Sequence, residues 1–117
     1  MSFPETIPGK NTLEKSIEDR GVNYAKEKGC LVFKVSFAGR AGAADRIHFC
    51  QGTTFFIEYK RPKKAHTAKL QIIFQRDLER QGIPVYLYVD DLDLAKKIID
   101  WHAEGNRDKY IIPEGLS

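Results

Sequence analysis

The feature that most constrains this chain is a pair of strand-like runs set about a single two-residue break. Asp45 to Cys50 and Thr53 to Lys60 are rich in aromatic and β-branched residues, and Gln51-Gly52 between them suits a tight hairpin turn. A hairpin turning symmetrically about that break opposes residues whose numbers sum to 103, which sets Asp45 across from Glu58. Opposed side chains share a face, so two carboxylates become neighbours, and Lys60, two residues beyond Glu58, projects from the same side. Pro62 ends the second run.

Around the hairpin the periodicity alternates between helix and strand. Asn11, with Glu14 three residues later, resembles a capping box, and a first helix is expected from Thr12 to Lys28. Leu13, Ile17, Tyr24 and Ala25 fall near one stripe of it, Gly21 weakens its middle and Gly29 ends it. Leu31 to Phe37 predicts a strand whose apolar face is Leu31, Phe33, Val35 and Phe37. Leu70, Ile73, Phe74 and Leu78 repeat at helical spacing ahead of Gly82. Pro84 to Asp90 reads as a strand apolar on both faces and therefore interior to its sheet, and Asp91 to Glu104 as a last helix with Leu94, Ala95, Ile98 and Trp101 inward. The order implies an α/β fold: one mixed sheet flanked by helices, its fourth strand parallel to an earlier one through a helical crossover. The expected organisation is a flexible arm over 1–10, a single domain over 11–105 and a tail over 106–117.

A chain of 117 residues holds one domain with a real core, and 42% hydrophobic with 30% charged residues excludes disorder as the default. Its apolar runs fall far below the roughly 18 residues that span a bilayer. No basic-then-apolar leader opens it, so neither a membrane nor export is expected, and the expected location is the cytoplasm. Cys30 and Cys50 lie in or beside apolar runs without Cys-x-x-Cys spacing and are expected as buried free thiols. His48, His66 and His102 lack metal-ligand spacing and read as surface or satisfied core histidines; Trp101 and Tyr110 read as packing residues. The net charge of +3 says little, but Lys60, Arg61, Lys63, Lys64 and Lys69 follow one another with no acidic residue among them. Such a patch suits phosphates, and equally a solvated loop.

Two facing carboxylates cost stability unless a cation sits between them, and hard oxygen ligands suit Mg²⁺ or Mn²⁺ rather than zinc. With Lys60 alongside, the set is equipped for phosphodiester hydrolysis: a metal polarises the phosphoryl oxygen and acidifies a bound water, while the ammonium orients that water or offsets developing charge. The small residues from Ala38 to Ala44 would let a substrate backbone approach. A Glu-x-Lys triplet alone also fits a solvated edge pair, and Asp45 a turn. Against that, Phe55, Ile57 and Tyr59 make one face core while Phe56 shares the side of Glu58, and a strand covered on both sides has no structural reason to carry a carboxylate.

Gly39-Arg40-Ala41-Gly42-Ala43-Ala44-Asp45-Arg46, then Phe56-Ile57-Glu58-Tyr59-Lys60-Arg61-Pro62, then Gln71 eleven residues before Gly82, resemble the VRR-NUC (virus-type replication-repair nuclease) domain of the PD-(D/E)XK superfamily. The likeness runs over roughly residues 13 to 95, with Ala44 standing where that family has Pro, a change that stiffens the strand entry less and touches no chemistry. The resemblance implies a restriction-endonuclease-like αβββαβ core with an extra C-terminal helix. It implies a Mg²⁺- or Mn²⁺-dependent deoxyribonuclease serving DNA repair in a bacterial cell or phage-infected host. Stand-alone members imply a homodimer acting on branched DNA such as four-way (Holliday) junctions. Carried onto this chain, the catalytic set is Asp45, Glu58, Lys60, Glu18 and Gln71, and the metal set Asp45, Glu58, Tyr59 and Glu18. Glu14 is the other candidate for the first-helix acid. DNA contacts are expected from Arg40, Arg46, Arg61, Lys63, Lys64 and Lys69. The competing reading is a non-catalytic nucleic-acid-binding module built on the basic 60–69 segment. A small-molecule α/β enzyme is disfavoured by the lack of any Gly-rich phosphate loop opening a helix.

Overall fold

The computed structural model describes residues 10–36 and 45–113, with side chains described from residue 16 onward. The arm expected over 1–10, apart from Lys10, and the small-residue segment with Phe37 and Arg40 lie outside the described residues. Seven elements follow in order: α1 (Lys10–Glu27), β1 (Leu31–Lys34), β2 (Arg46–Cys50), β3 (Thr53–Ile57), α2 (Ala65–Arg80), β4 (Val85–Tyr86) and α3 (Leu92–Ala103). This is the expected order. Because α1 opens at Lys10, Asn11 lies inside the helix and not at its cap.

The four strands form one sheet in the order β1-β2-β3-β4. β2 and β3 are antiparallel with Arg46 opposite Ile57, Ile47 opposite Phe56 and Cys50 opposite Thr53, the register the hairpin symmetry predicted. Gln51 (φ 50°) and Gly52 (φ 78°) both take the left-handed conformation that a two-residue hairpin turn needs. β3 and β4 are parallel, as a crossover through α2 allows. β4 stands at the end of the sheet and not inside it. Its residues are apolar on both faces because helices cover both: Val85 joins Phe56 and Phe74 of α2 on one side, and Tyr86 joins Phe55, Leu94, Ala95 and Ile98 on the other. The strand also stops early, because Tyr88 turns to φ 59°, a conformation costly for a residue with a Cβ.

One side of the sheet packs on α1 and α3, and Ala25, Phe55, Ile57, Ile98 and Ile99 are fully buried there. At about 1.5–3 kcal/mol for each large side chain removed from water, this layer is the main stabilising mass of the fold. Phe55 is stacked between two imidazoles, His48 at 4.4 Å and His102 at 4.2 Å. Burial pushes the His48 imidazole down to about 3. His102 Nδ1 donates to the Asn106 carbonyl (2.8 Å), leaving Nε2 to accept from the Tyr86 hydroxyl (2.8 Å), which accepts in turn from the Tyr110 amide (2.7 Å). His102, and not Trp101, is therefore the inward residue of the last turn of α3. Trp101 packs on Tyr110 and donates to the Asp108 carbonyl (2.7 Å), which fastens the segment after α3 onto the body.

Two further expectations are corrected here. Of the expected apolar face Leu31, Phe33, Val35 and Phe37, Val35 packs against the Phe56–Phe74 cluster, but Leu31 and Phe33 are exposed and the main core takes Val32 from the other side, which the α1–α3 layer covers. The cysteines are not free thiols. β1 and β2 pair with Leu31 opposite Phe49, and one step further the same register brings Cys30 and Cys50 to 4.4 Å between Cα atoms, where they form a disulfide. Among the described residues no helix is long and apolar enough to cross a membrane.

Gly21 has a reason beyond weakening α1. A Cβ there would press into the hydroxyl of Tyr59 and lie 2.8 Å from its Cζ, and that ring is held in the core at 2% exposure. Gly21→Ala should therefore lower stability by about 1–3 kcal/mol through overpacking, although alanine favours the helix by about 1 kcal/mol. A denaturant titration checks the sign; a stabilised variant would show that Tyr59 is free to move.

Candidate functional site

Glu58 continues β3 beyond its last paired residue, and the sheet holds its backbone on both sides. Its amide donates to the Tyr86 carbonyl (2.8 Å) and its carbonyl accepts from the Val89 amide (3.0 Å). Its side chain, on the side of Phe56, is 3% exposed beneath α2. There Gln71, buried on the inner face of α2, donates to Oε2, while Glu58 Oε1 and Gln71 Oε1 have no hydrogen-bond partner. Asp45 leads into β2 on the adjoining strand. Burial, and then the neighbouring Asp45 carboxylate, push the Glu58 carboxyl up to about 9.

These groups open into a pocket of about 290 Å³ lined by Asp45, Glu58, Lys60, Arg61, Pro62, Lys63 and Gln71. The fold thus brings four of the expected catalytic residues together with two of the expected phosphate contacts. Gln71 is no surface glutamine but a fixed neighbour of Glu58. Arg61 lies over the Tyr88 ring at 4.9 Å from its centroid. Lys64 caps α2 through its backbone without a side-chain hydrogen bond, and Lys64 and Lys69 are exposed along the same segment outside the pocket lining. Nothing in the sequence singled out Tyr88, whose left-handed backbone and buried hydroxyl appear only in the folded chain.

Glu18 and Arg46 are elsewhere. The Arg46 Nε donates to Glu18 Oε2 at 2.8 Å, both side chains are largely shielded, and neither lines the pocket. Tyr59 sends its ring into the core, so only its main chain is available to the site. Among the described residues no group of three or more His, Cys, Asp or Glu is arranged to hold a metal ion. Asp45 and Glu58 are the acidic side chains lining the pocket that can offer oxygen to a small divalent cation. The unpartnered, buried Glu58 Oε1 and the facing carboxylate both fit one: a cation there would balance the charge that otherwise keeps Glu58 protonated.

The raised Glu58 carboxyl has a consequence for stability. The folded state holds a proton on Glu58 up to about pH 9, whereas the unfolded chain releases it near its ordinary value of 4.5. The metal-free protein should thus lose stability as pH rises from about 4.5 through about 9. Melting curves across that range should slope downward, and Glu58→Gln should flatten them; an unchanged slope would contradict this account.

No family model matches the sequence, and none of the curated proteins matches it. A solved structure of a VRR_NUC domain does share the architecture, with a TM-score of 0.62 over 75% of this chain and 95% of that one, at 21% identity. The mixed four-stranded sheet with helices on both sides, carrying the Asp45–Glu58 pair at the mouth of its hairpin, thus has the restriction-endonuclease-like fold of a VRR_NUC domain.

Proposed function

We propose that this chain is a Mg²⁺-dependent DNA endonuclease that hydrolyses phosphodiester bonds of branched DNA such as four-way junctions, acting as a homodimer in the cytoplasm. One observation carries the reading: a buried glutamate, tied to a buried glutamine and facing an aspartate, opens into a pocket rimmed by Lys60, Arg61 and Lys63. Burying a carboxylate beside a second one is costly in a purely structural strand, and a cation-dependent site offsets that cost. When bound, Mg²⁺ or Mn²⁺ would polarise the phosphoryl oxygen and acidify a water. Asp45 and Glu58 would hold it, and the bond from Gln71 to Oε2 would hold the Glu58 carboxyl in place. Lys60 would place its ammonium against the charge that builds on the phosphoryl group, while Arg61 and Lys63, with Lys64 and Lys69 further along, bind flanking phosphates.

A labelled four-way junction and its matching linear duplex, each with Mg²⁺, Mn²⁺ or EDTA, test the proposal. Metal-dependent cutting of the junction supports it. The lack of a third acidic ligand among the described residues favours a second reading, a non-catalytic nucleic-acid-binding module. That module would bind in a salt-sensitive way without cutting under any metal condition.

A further inference from the structure

The segment that continues β4 carries one residue too many opposite Glu58. The Phe56 amide donates to the Pro84 carbonyl (2.9 Å), and two residues on the Glu58 amide donates to the Tyr86 carbonyl (2.8 Å), both as parallel pairing requires. Regular pairing would next bring the Tyr88 amide to the Glu58 carbonyl. The Val89 amide takes that place, at 3.0 Å. The extra residue is Tyr88, at φ 59°, and the chain bulges there. The bulge reverses the alternation of side chains. Tyr86 packs in the α1–α3 layer and Leu87 against the Phe56–Phe74 cluster, so an unbroken strand would send Tyr88 into the core. Val89 fills that core position instead, and Tyr88 belongs to neither cluster.

A left-handed backbone is unfavourable for tyrosine, and a bulge beside a site re-aims a side chain. Here the ring comes to lie under Arg61, whose guanidinium carbon is 4.9 Å from the ring centroid, within reach of a cation–π contact. The Tyr88 hydroxyl is buried without a hydrogen-bond partner, so no bond from it accounts for where the ring stands. Arg61 lines the pocket with Asp45, Glu58 and Lys60. Among the described residues no carboxylate pairs with it, in contrast to Arg46, whose Nε is taken by Glu18. A guanidinium lying on a ring face keeps the five N–H donors of its own plane free for the fork that a phosphate accepts. Holding the long side chain in advance also lowers the cost of ordering it when the phosphate arrives.

We propose that Tyr88 is a positioning residue: the bulge opposite Glu58 sets its ring beneath Arg61 and so holds the guanidinium ready for a nucleic-acid phosphate at the rim of the pocket. The inference rests on the nuclease reading for its ligand, and on the folded chain alone for the stacked pair.

Tyr88→Asn removes the ring but suits a left-handed backbone, and Tyr88→Leu is the second ring-free variant if it does not fold. In EDTA, the affinity of Tyr88→Asn for a labelled four-way junction should fall about tenfold, as should that of Arg61→Ala. The double variant should bind no more weakly than Arg61→Ala alone, because the ring acts through the guanidinium. Tyr88→Phe should restore the affinity, since it keeps the ring. With Mg²⁺, Tyr88→Asn should raise KM about as much while kcat moves far less, as for a contact made equally with substrate and transition state. In the free protein, the ring should shift the Arg61 Nε proton resonance upfield in wild type and Tyr88→Phe, and not in Tyr88→Asn. A wild type without that shift overturns the proposal with no nucleic acid involved. Undiminished affinity in a folded ring-free variant, or losses that add in the double variant, overturns it equally. Binding without cutting would remove the nuclease reading and leave the affinity cycle to decide; no affinity for the junction would overturn both.

Discussion

Lys60→Ala is expected to lower metal-dependent cleavage by about 10² or more while leaving the fold intact, since its ammonium would act on charge that appears only in the transition state. Lys60 is exposed at the rim of the pocket, so its truncation costs little packing. Glu58→Gln should be at least as damaging to cleavage for a different reason, the loss of a charge that holds the cation. The two variants separate in their other properties. Lys60→Ala should keep the metal-induced rise in melting temperature, because the carboxylates remain. Glu58→Gln should lose it, while gaining stability over wild type in EDTA at alkaline pH, where wild type must ionise a buried group beside Asp45. Single-turnover cleavage and melting curves with and without Mg²⁺ measure both. Full activity in Lys60→Ala would leave the ammonium without a catalytic part.

The second large effect lies at the opposite end of the sheet. Opening the Cys30–Cys50 disulfide should cost about 3 kcal/mol, because the bond closes a loop of 20 positions and so restricts the unfolded chain. For a domain of this size that is a fall of roughly 10 °C in melting temperature. Melts with and without a dithiol reductant, and of Cys30→Ala with Cys50→Ala, should agree; identical melts would mean that the cross-link adds nothing the strand pairing lacks. Both sulfurs are buried, at 5% and 1% exposure of their residues, so reduction should be slow unless the sheet opens. In the cytoplasm proposed for this protein thiols are kept reduced, and a chain made there would work without that reserve.

Much of the architecture was legible in the residues themselves. Element order and the hairpin register follow from local rules: period-two and helical spacing, and a two-residue turn that leaves one symmetric pairing. Since that register alone sets Asp45 against Glu58, the pairing at the heart of the candidate site could be read before any fold was known. What could not be read depends on which layer covers which face. β1 offers apolar residues on both sides, and only the placement of α1 and α3 made Val32 core and left Leu31 and Phe33 at the surface. Leu31 opposite Phe49 is a long-range register with no turn signal to announce it, because the segment between β1 and β2 is far longer than a hairpin loop; hence the disulfide went unforeseen.

The sequence by itself determined the carboxylate pair, the adjacent lysine and the basic run after it, because these are set by spacing within one hairpin and the residues that follow. Only the tertiary structure decided that Gln71 is buried against Glu58, that Glu18 is paired with Arg46 outside the pocket lining, that β4 ends the sheet among the described strands, and that Leu31, Phe33 and Phe49 stay exposed. Each of these depends on how elements far apart in the chain share a limited sheet surface.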